Sequence, residues 1–244
     1  MKGILLAVAI VSAVAVSCSK SSDTPPKPSQ NKMYLALLKG NYDSTIMEYN
    51  ADMTIKRTAN FTIIGPYLNW DALYAYDNAK LASLTFGGVK FDASYDSAGN
   101  LSFVDTKNVY DDQHRMIESR IYLGSDKVYS GVDKLTWDGM NLIRIDCYNK
   151  DGKLFYVKNY QYDDKINPLR DIPVGTKKWE DPAKYLSGNN IIDEKSEDPN
   201  GGYSPHQISR YKYNERNYPV SAEVYSVFEG TNSLMDSLNF TYLR

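Results

Sequence analysis

Tyr148-Asn149-Lys150-Asp151-Gly152-Lys153-Leu154 is the stretch on which the fold turns. Asn149 to Gly152 carries the chemistry of a type I turn followed by a bulge. An Asn in the first position bonds the backbone two residues on. Gly152 supplies the left-handed backbone that the bulge position requires. This turn pairs Asn149 with Lys153, and so places Cys147 opposite Phe155 and Ile145 opposite Val157. Ile143, Ile145 and Cys147 then share one face with Phe155 and Val157. Arg144, Asp146 and Tyr148 share the other with Leu154, Tyr156 and Lys158. Turn chemistry and period-two patterning agree, and that agreement is what specifies a register.

The same device recurs along the chain. Tyr95-Asp96-Ser97-Ala98-Gly99 keeps the aromatic, the Asp and the Gly at identical spacing. Tyr110-Asp111-Asp112-Gln113-His114 puts His114 at the bulge, and Tyr213-Asn214-Glu215-Arg216-Asn217 puts Asn217 there. His and Asn are among the few non-Gly residues enriched at positive φ. Gly99, His114, Gly152 and Asn217 are therefore read as equivalent turn positions. Looser relatives are Tyr49-Asn50, Tyr76-Asp77, Trp137-Asp138-Gly139 and Tyr162-Asp163. A repeated hairpin unit predicts an all-β fold: a single antiparallel meander forming a strongly curved sheet or a partial, open barrel.

Composition agrees. The chain has 244 residues, a size that suits one all-β domain. Aromatics make up 13%, and 21 of them are Tyr, the residue suited to half-buried strand surfaces. A net charge of −2 removes the electrostatic case for a nucleic-acid partner.

Three regions are expected. Residues 1–17 read as a lipoprotein signal peptide: Lys2 is basic, residues 4–16 are apolar or small, and the run is too short to span a bilayer. The segment closes as Ala15-Val16-Ser17-Cys18, which resembles a bacterial lipobox. Cys18 is then the lipidation site and the membrane anchor. An ordinary secretory signal with an incidental Cys is the alternative. Residues 18–32 form a flexible tether, rich in Ser and Pro and with nothing to build a core. The antiparallel β domain is 33–244. Turn signals recur along it every 8–14 residues or so, as in all-β folds. The rhythm breaks at 166–194, where Pro168, Pro173 and Pro182 forbid a central strand. Asp181 is placed to cap a short helix with Pro182 at its first position, making a helical excursion near 181–187 that plugs or caps the sheet.

With Cys18 and its polar tether, the Tyr-Asp hairpins, Asn167-Pro168-Leu169 before Leu186-Ser187-Gly188-Asn189-Asn190, and Tyr211-Lys212-Tyr213-Asn214 before Tyr218-Pro219-Val220, the chain resembles a family. These are lipoproteins of unknown function from Gram-negative gut bacteria with a porin-like antiparallel β fold. The hairpins also resemble the Tyr-Asp repeats of bacterial toxin shells. The family resemblance implies a curved antiparallel sheet or partial barrel, and no activity; Ser19 rather than Asp after the Cys points to the outer membrane, on the periplasmic or cell-surface side.

The constellations that carry chemistry are thin. His114 beside Asp111 and Asp112 reads as an exposed bulge residue, and a glycine there is expected to be neutral or slightly stabilising. His206 has no partner at ligand spacing, so no metal site and no cofactor is expected. A transmembrane barrel conflicts with Arg144 and Lys158 on strand faces that lipid would cover. Tyr148, Tyr156, Tyr160 and Tyr162 share a face by parity, which makes Tyr156 and Tyr160 candidate stacking contacts for a glycan, peptide or protein ligand. The expected function is a non-enzymatic binding or scaffold domain. The alternative is an envelope glycoside hydrolase with a carboxylate pair, which needs two carboxyls about 5–10 Å apart in a cleft.

Overall fold

A computed structural model describes residues 32–62, 67–103, 106–123, 128–170, 172–173, 181–202 and 204–243. The signal peptide, Cys18 and nearly all of the tether lie outside the described residues. The domain is built from sixteen strands: β1 (Leu35–Lys39), β2 (Asp43–Tyr49), β3 (Ile55–Thr62), β4 (Leu68–Asp77), β5 (Lys80–Phe86), β6 (Val89–Tyr95), β7 (Leu101–Phe103), β8 (Thr106–Tyr110), β9 (Met116–Leu123), β10 (Val128–Asp138), β11 (Asn141–Asn149), β12 (Leu154–Ile166), β13 (Asn189–Glu197), β14 (His206–Tyr213), β15 (Pro219–Phe228) and β16 (Thr231–Tyr242). One helix, α1 (Ala183–Leu186), lies between β12 and β13.

The strands form one antiparallel sheet in the order β7 back to β1, then β16 down to β8. The sheet is a nearly closed barrel with one seam, between β7 and β8. Side chains stitch that seam. Ser102 Oγ donates to the Thr106 carbonyl at 3.1 Å, and the Tyr110 hydroxyl donates to the Leu101 carbonyl. Across the adjoining turns, His114 Nδ1 and Asn100 Oδ1 lie 2.7 Å apart.

The up-and-down topology gives the barrel two ends. The turns after odd-numbered strands form one, here the mouth. The turns after even-numbered strands, the helix and both ends of the described domain form the other, the plug end. Leu243 N–H donates to the Tyr34 carbonyl there at 2.9 Å.

Four turns share one hydrogen-bond pattern. At Asn149 the backbone N–H donates to Lys153 O and its carbonyl accepts from Gly152, while Oδ1 accepts from the Asp151 and Lys153 N–H groups. Asp96, Asp111 and Asn214 repeat this bonding. The left-handed position is Gly152 at φ 75°, Gly99 at 85°, His114 at 60° and Asn217 at 62°. The turn at Asn50 keeps only the two backbone bonds, with Met53 at φ 65°, and there the Thr54 N–H donates to Asp52 Oδ1. Tyr162-Asp163 is not a turn and lies within β12.

The register after the Asn149 turn departs from expectation by one residue. Tyr148 pairs with Leu154, but Cys147 pairs with Tyr156 and Ile145 with Lys158. Phe155 is the extra residue of a bulge, and a bulge exchanges faces for everything beyond it. Tyr156, Lys158, Tyr160 and Tyr162 therefore face inward with Cys147 and Ile145, while Tyr148 and Arg144 stay outside. Lys158 accordingly says nothing about the outer wall.

Inside, two clusters flank the excursion. Leu35, Met47, Ala72, Tyr74, Leu81 and Leu84 form one, with Ile172 and the half-buried Leu169 and Tyr185 reaching into it. Leu135, Leu142, Ile145, Tyr160 and Ile191 form the other around Ala183, with Leu186 against it. The excursion thus spans the interior at the plug end and joins the two walls.

Candidate functional site

The chemistry of the interior gathers where the excursion meets β12. Asp181 caps α1 as its sequence suggests: Oδ1 accepts the Ala183 N–H at 2.9 Å, with Pro182 filling the first turn. The same carboxylate receives two further groups from β12. Lys158 Nζ stands 2.7 Å from Oδ2, and the Tyr160 hydroxyl donates to it at 2.7 Å. Glu194, opposite Tyr160 on β13, lies 3.9 Å from the same ammonium.

Burial dominates this site electrostatically and pushes Asp181 upward. The Lys158 charge and the bonds from Lys158, Tyr160 and Ala183 together outweigh it and hold the carboxyl below its ordinary 3.8. Glu194 moves the other way, raised by burial and then by the Asp181 charge. Burial works against the charged form of Lys158, but Asp181 and Glu194 overcome it and hold the ammonium above its usual value. Lys158 thus faces both acids and lies closer to Asp181, while the Lys184 charge also acts on Glu194. Nearer the mouth, Cys147 faces Asp133 across β10 and β11. Burial and then the Asp133 charge raise that thiol well above its ordinary range, which keeps it protonated rather than nucleophilic.

The excursion is held as tightly as the site above it. Buried Asn167 donates through Nδ2 to the Lys184 and Ser187 carbonyls at 2.8 and 2.9 Å, tying the start of the excursion to its end. Ser187 Oγ accepts the Leu142 N–H at 3.0 Å and donates to Tyr162 Oη at 2.9 Å. Gly188 passes so close to Met140 that a Cβ would overlap its side chain. The sequence motifs around Asn167 and Ser187, 20 residues apart, are thus one contact in space.

Of the sequence-derived contacts, Tyr160 is 4% exposed and engaged with Asp181, beneath the excursion. Tyr156 is half-buried and faces inward beside Cys147. His114 is exposed at the seam, as described above. His206 Nε2 lies 3.2 Å from Asp193 Oδ2 on the outer face. Among the described residues no group of three or more His, Cys, Asp or Glu is arranged to hold a metal. Sequence reading missed Lys158, Asp181 and Glu194 as a unit. The Asp-Pro cap was the available signal, and the Phe155 bulge concealed the rest by reversing the parity of Lys158.

The outer wall is ionic. Arg57 on β3 bridges Glu48 on β2 at 3.0 Å and Asp71 on β4 at 2.8 Å. Lys90–Asp92 on β6, Glu118–Arg120 on β9 and Arg144–Asp146 on β11 continue the pattern around the barrel. A lipid-facing wall takes an apolar band, and each Lys or Arg at its midplane costs about 2–4 kcal/mol.

No family model and no curated protein matches this sequence. Among solved structures the chain is similar to a porin-like protein from Bacteroides uniformis, with 11% identity, a TM-score of 0.51, and 86% of this chain covering 96% of that one. It also matches a porin-like protein from Bacteroides vulgatus, with 12% identity, a TM-score of 0.46 and coverage of 86% and 99%. The first likeness establishes a shared fold: an antiparallel, barrel-like, all-β architecture.

Proposed function

We propose that the chain is an outer-membrane lipoprotein, attached through Cys18, whose barrel is a non-enzymatic binding or scaffold domain. The observation that carries this reading is the pairing of an ionic outer wall with an interior plugged at one end. A wall of that kind is built to stand in water, and a plugged interior is not built to conduct. The porin-like neighbour adds a fold and no activity. The inward acids support the same reading. Asp181 and Glu194 share one ammonium, where a glycosidase needs them separated by a sugar and, in inverting enzymes, a water. Of the two candidate stacking residues, Tyr156 is the one left half-buried for a glycan, peptide or protein ligand, since Tyr160 is only 4% exposed and engaged with Asp181.

Fractionation tests the anchor. Cys18→Ala should abolish recovery with membranes, and a variant that still pellets through another attachment overturns the lipobox reading. A glycan and peptide array probed with the wild-type and Tyr156→Ala chains tests the binding role. Turnover of any arrayed glycan would defeat the non-enzymatic reading.

A further inference from the structure

We infer that the mouth of the barrel is a lipid-contacting rim, in which Tyr42, Tyr67, Val89, Val128, Phe155 and Phe228 rest at the headgroup–acyl boundary of a bilayer. The distribution of exposed apolar side chains carries this. The five most exposed large apolar side chains among the described residues are Tyr67 (74%), Phe228 (67%), Tyr42 (66%), Val128 (62%) and Val89 (57%). All five stand at the mouth, as does Phe155. Each belongs to a different turn: β1–β2, β3–β4, β5–β6, β9–β10, β11–β12 and β15–β16. Leu234 and Tyr129 extend two of these positions down the wall.

The shape of the set selects its occupant. Six side chains on six separate turns form a ring, and a small ligand reaches only one or two of them. A protein partner needs a packed apolar centre within a polar border. Here large apolar side chains stand on the border, interspersed with polar tips such as Lys150–Asp151, and the centre is the polar interior, where Asn60 bonds Asp43, Thr45 and Asn69. A fluid lipid boundary accepts separately spaced apolar side chains at one depth, and Tyr and Phe suit that depth. The ionic ladders fix how far the rim enters. Lys90–Asp92 begins one residue below Val89 and Glu48–Arg57–Asp71 lies farther down the wall, so the barrel lies on the bilayer and does not span it.

The chain leading to the domain enters at the plug end, the far end from the rim. Its reach decides whether both attachments fit, and only this step rests on the Cys18 reading. The 14 residues 19–32 extend to about 46–50 Å. The longest strand, β12 with 13 residues, rises about 43 Å along its own axis and less along the tilted barrel. A chain of that reach exceeds the height of the wall, so both attachments fit one bilayer.

The test uses the chain from residue 18 onward with Cys18→Ser, because residues 1–17 and an acyl chain would each bind lipid alone. Flotation with phosphatidylcholine vesicles, with and without phosphatidylglycerol, should recover the protein in both. Tyr67→Ser/Phe228→Ser should lower the partition by about tenfold or more, while Met140→Ser/Leu243→Ser at the plug end leaves it unchanged. Circular dichroism confirms that each variant is folded. Hydrogen exchange on vesicles should protect the mouth turns. No flotation overturns the proposal, as does binding confined to anionic vesicles, equal loss in both double variants, or protection at the plug end. An oligomer in solution that the rim double variant dissociates, without flotation of either, assigns the rim to a protein partner instead. Cys18 fractionation is read on the lipidated chain, so the two readings fail separately.

Discussion

The two ends of the barrel place polar and apolar groups in opposite ways. At the plug end, Asn167, Asp181 and Ser187 are buried, and each is bonded within the excursion or to the wall it crosses. Apolar residues from both walls close around them. At the mouth, polar side chains line the interior and large apolar ones stand exposed at the turns. Among the described residues only the plug end has a protein segment to pack against, and there the inward faces become a dry core. The mouth shows what the same strand pattern does without one.

Removing the cation that unites the plug site should have the largest effect. Lys158→Met leaves Asp181 buried without its counter-charge and Glu194 with only the charge of Lys184, and should cost about 3–5 kcal/mol in chemical denaturation. Adding Asp181→Asn to it should recover part of that loss. A loss near zero would mean that the plug end is held by its apolar contacts alone.

Glu194→Gln should act in the opposite direction. The folded carboxyl holds its proton more tightly than the unfolded one, so Glu194 loses stabilising power as pH rises above about 4.5. Gln removes that term, and the variant should gain on wild type from acid to neutral pH, by a fraction of the Lys158→Met loss. Asp181 has the reverse sign. Its contribution is present above 3.8 and is lost as pH falls through its lowered folded value. A Glu194→Gln chain that is weaker at neutral pH would reassign Lys158 to Glu194.

How much of this was legible in the sequence depends on the range of the interaction involved. The Asx turns are local, and Asn149-Lys150-Asp151-Gly152 states its own conformation. Asp181-Pro182 states its cap in the same way. Met53 at positive φ does not, because Met has no intrinsic preference for it. The Phe155 bulge has no compositional mark, yet it moves Lys158 from the outer wall to the core and makes the charged site. The pairing of β1 with β16 is invisible for a related reason: neither strand names a partner some 200 residues away.

The smallest effect is expected at the seam. His114→Gly removes a positive-φ strain and an exposed bond to Asn100 together, so global stability should change by no more than about 0.5 kcal/mol. Amide exchange in β7 should nonetheless quicken, since the stitching there is made by side chains. Unchanged exchange would leave Ser102 and Tyr110 as sufficient fasteners.

The position of the seam also bears on how fast the barrel assembles. Fourteen of the fifteen strand pairings join neighbours in the chain, and the exception is β1 with β16. That pairing closes a loop of most of the domain, at an entropic cost that grows as (3/2)RT ln n. A circular permutant joined at the termini and opened between β7 and β8 would keep every strand beside its sequence neighbour. Its contact order would fall while its contacts stayed the same, so it should refold faster than the natural connectivity.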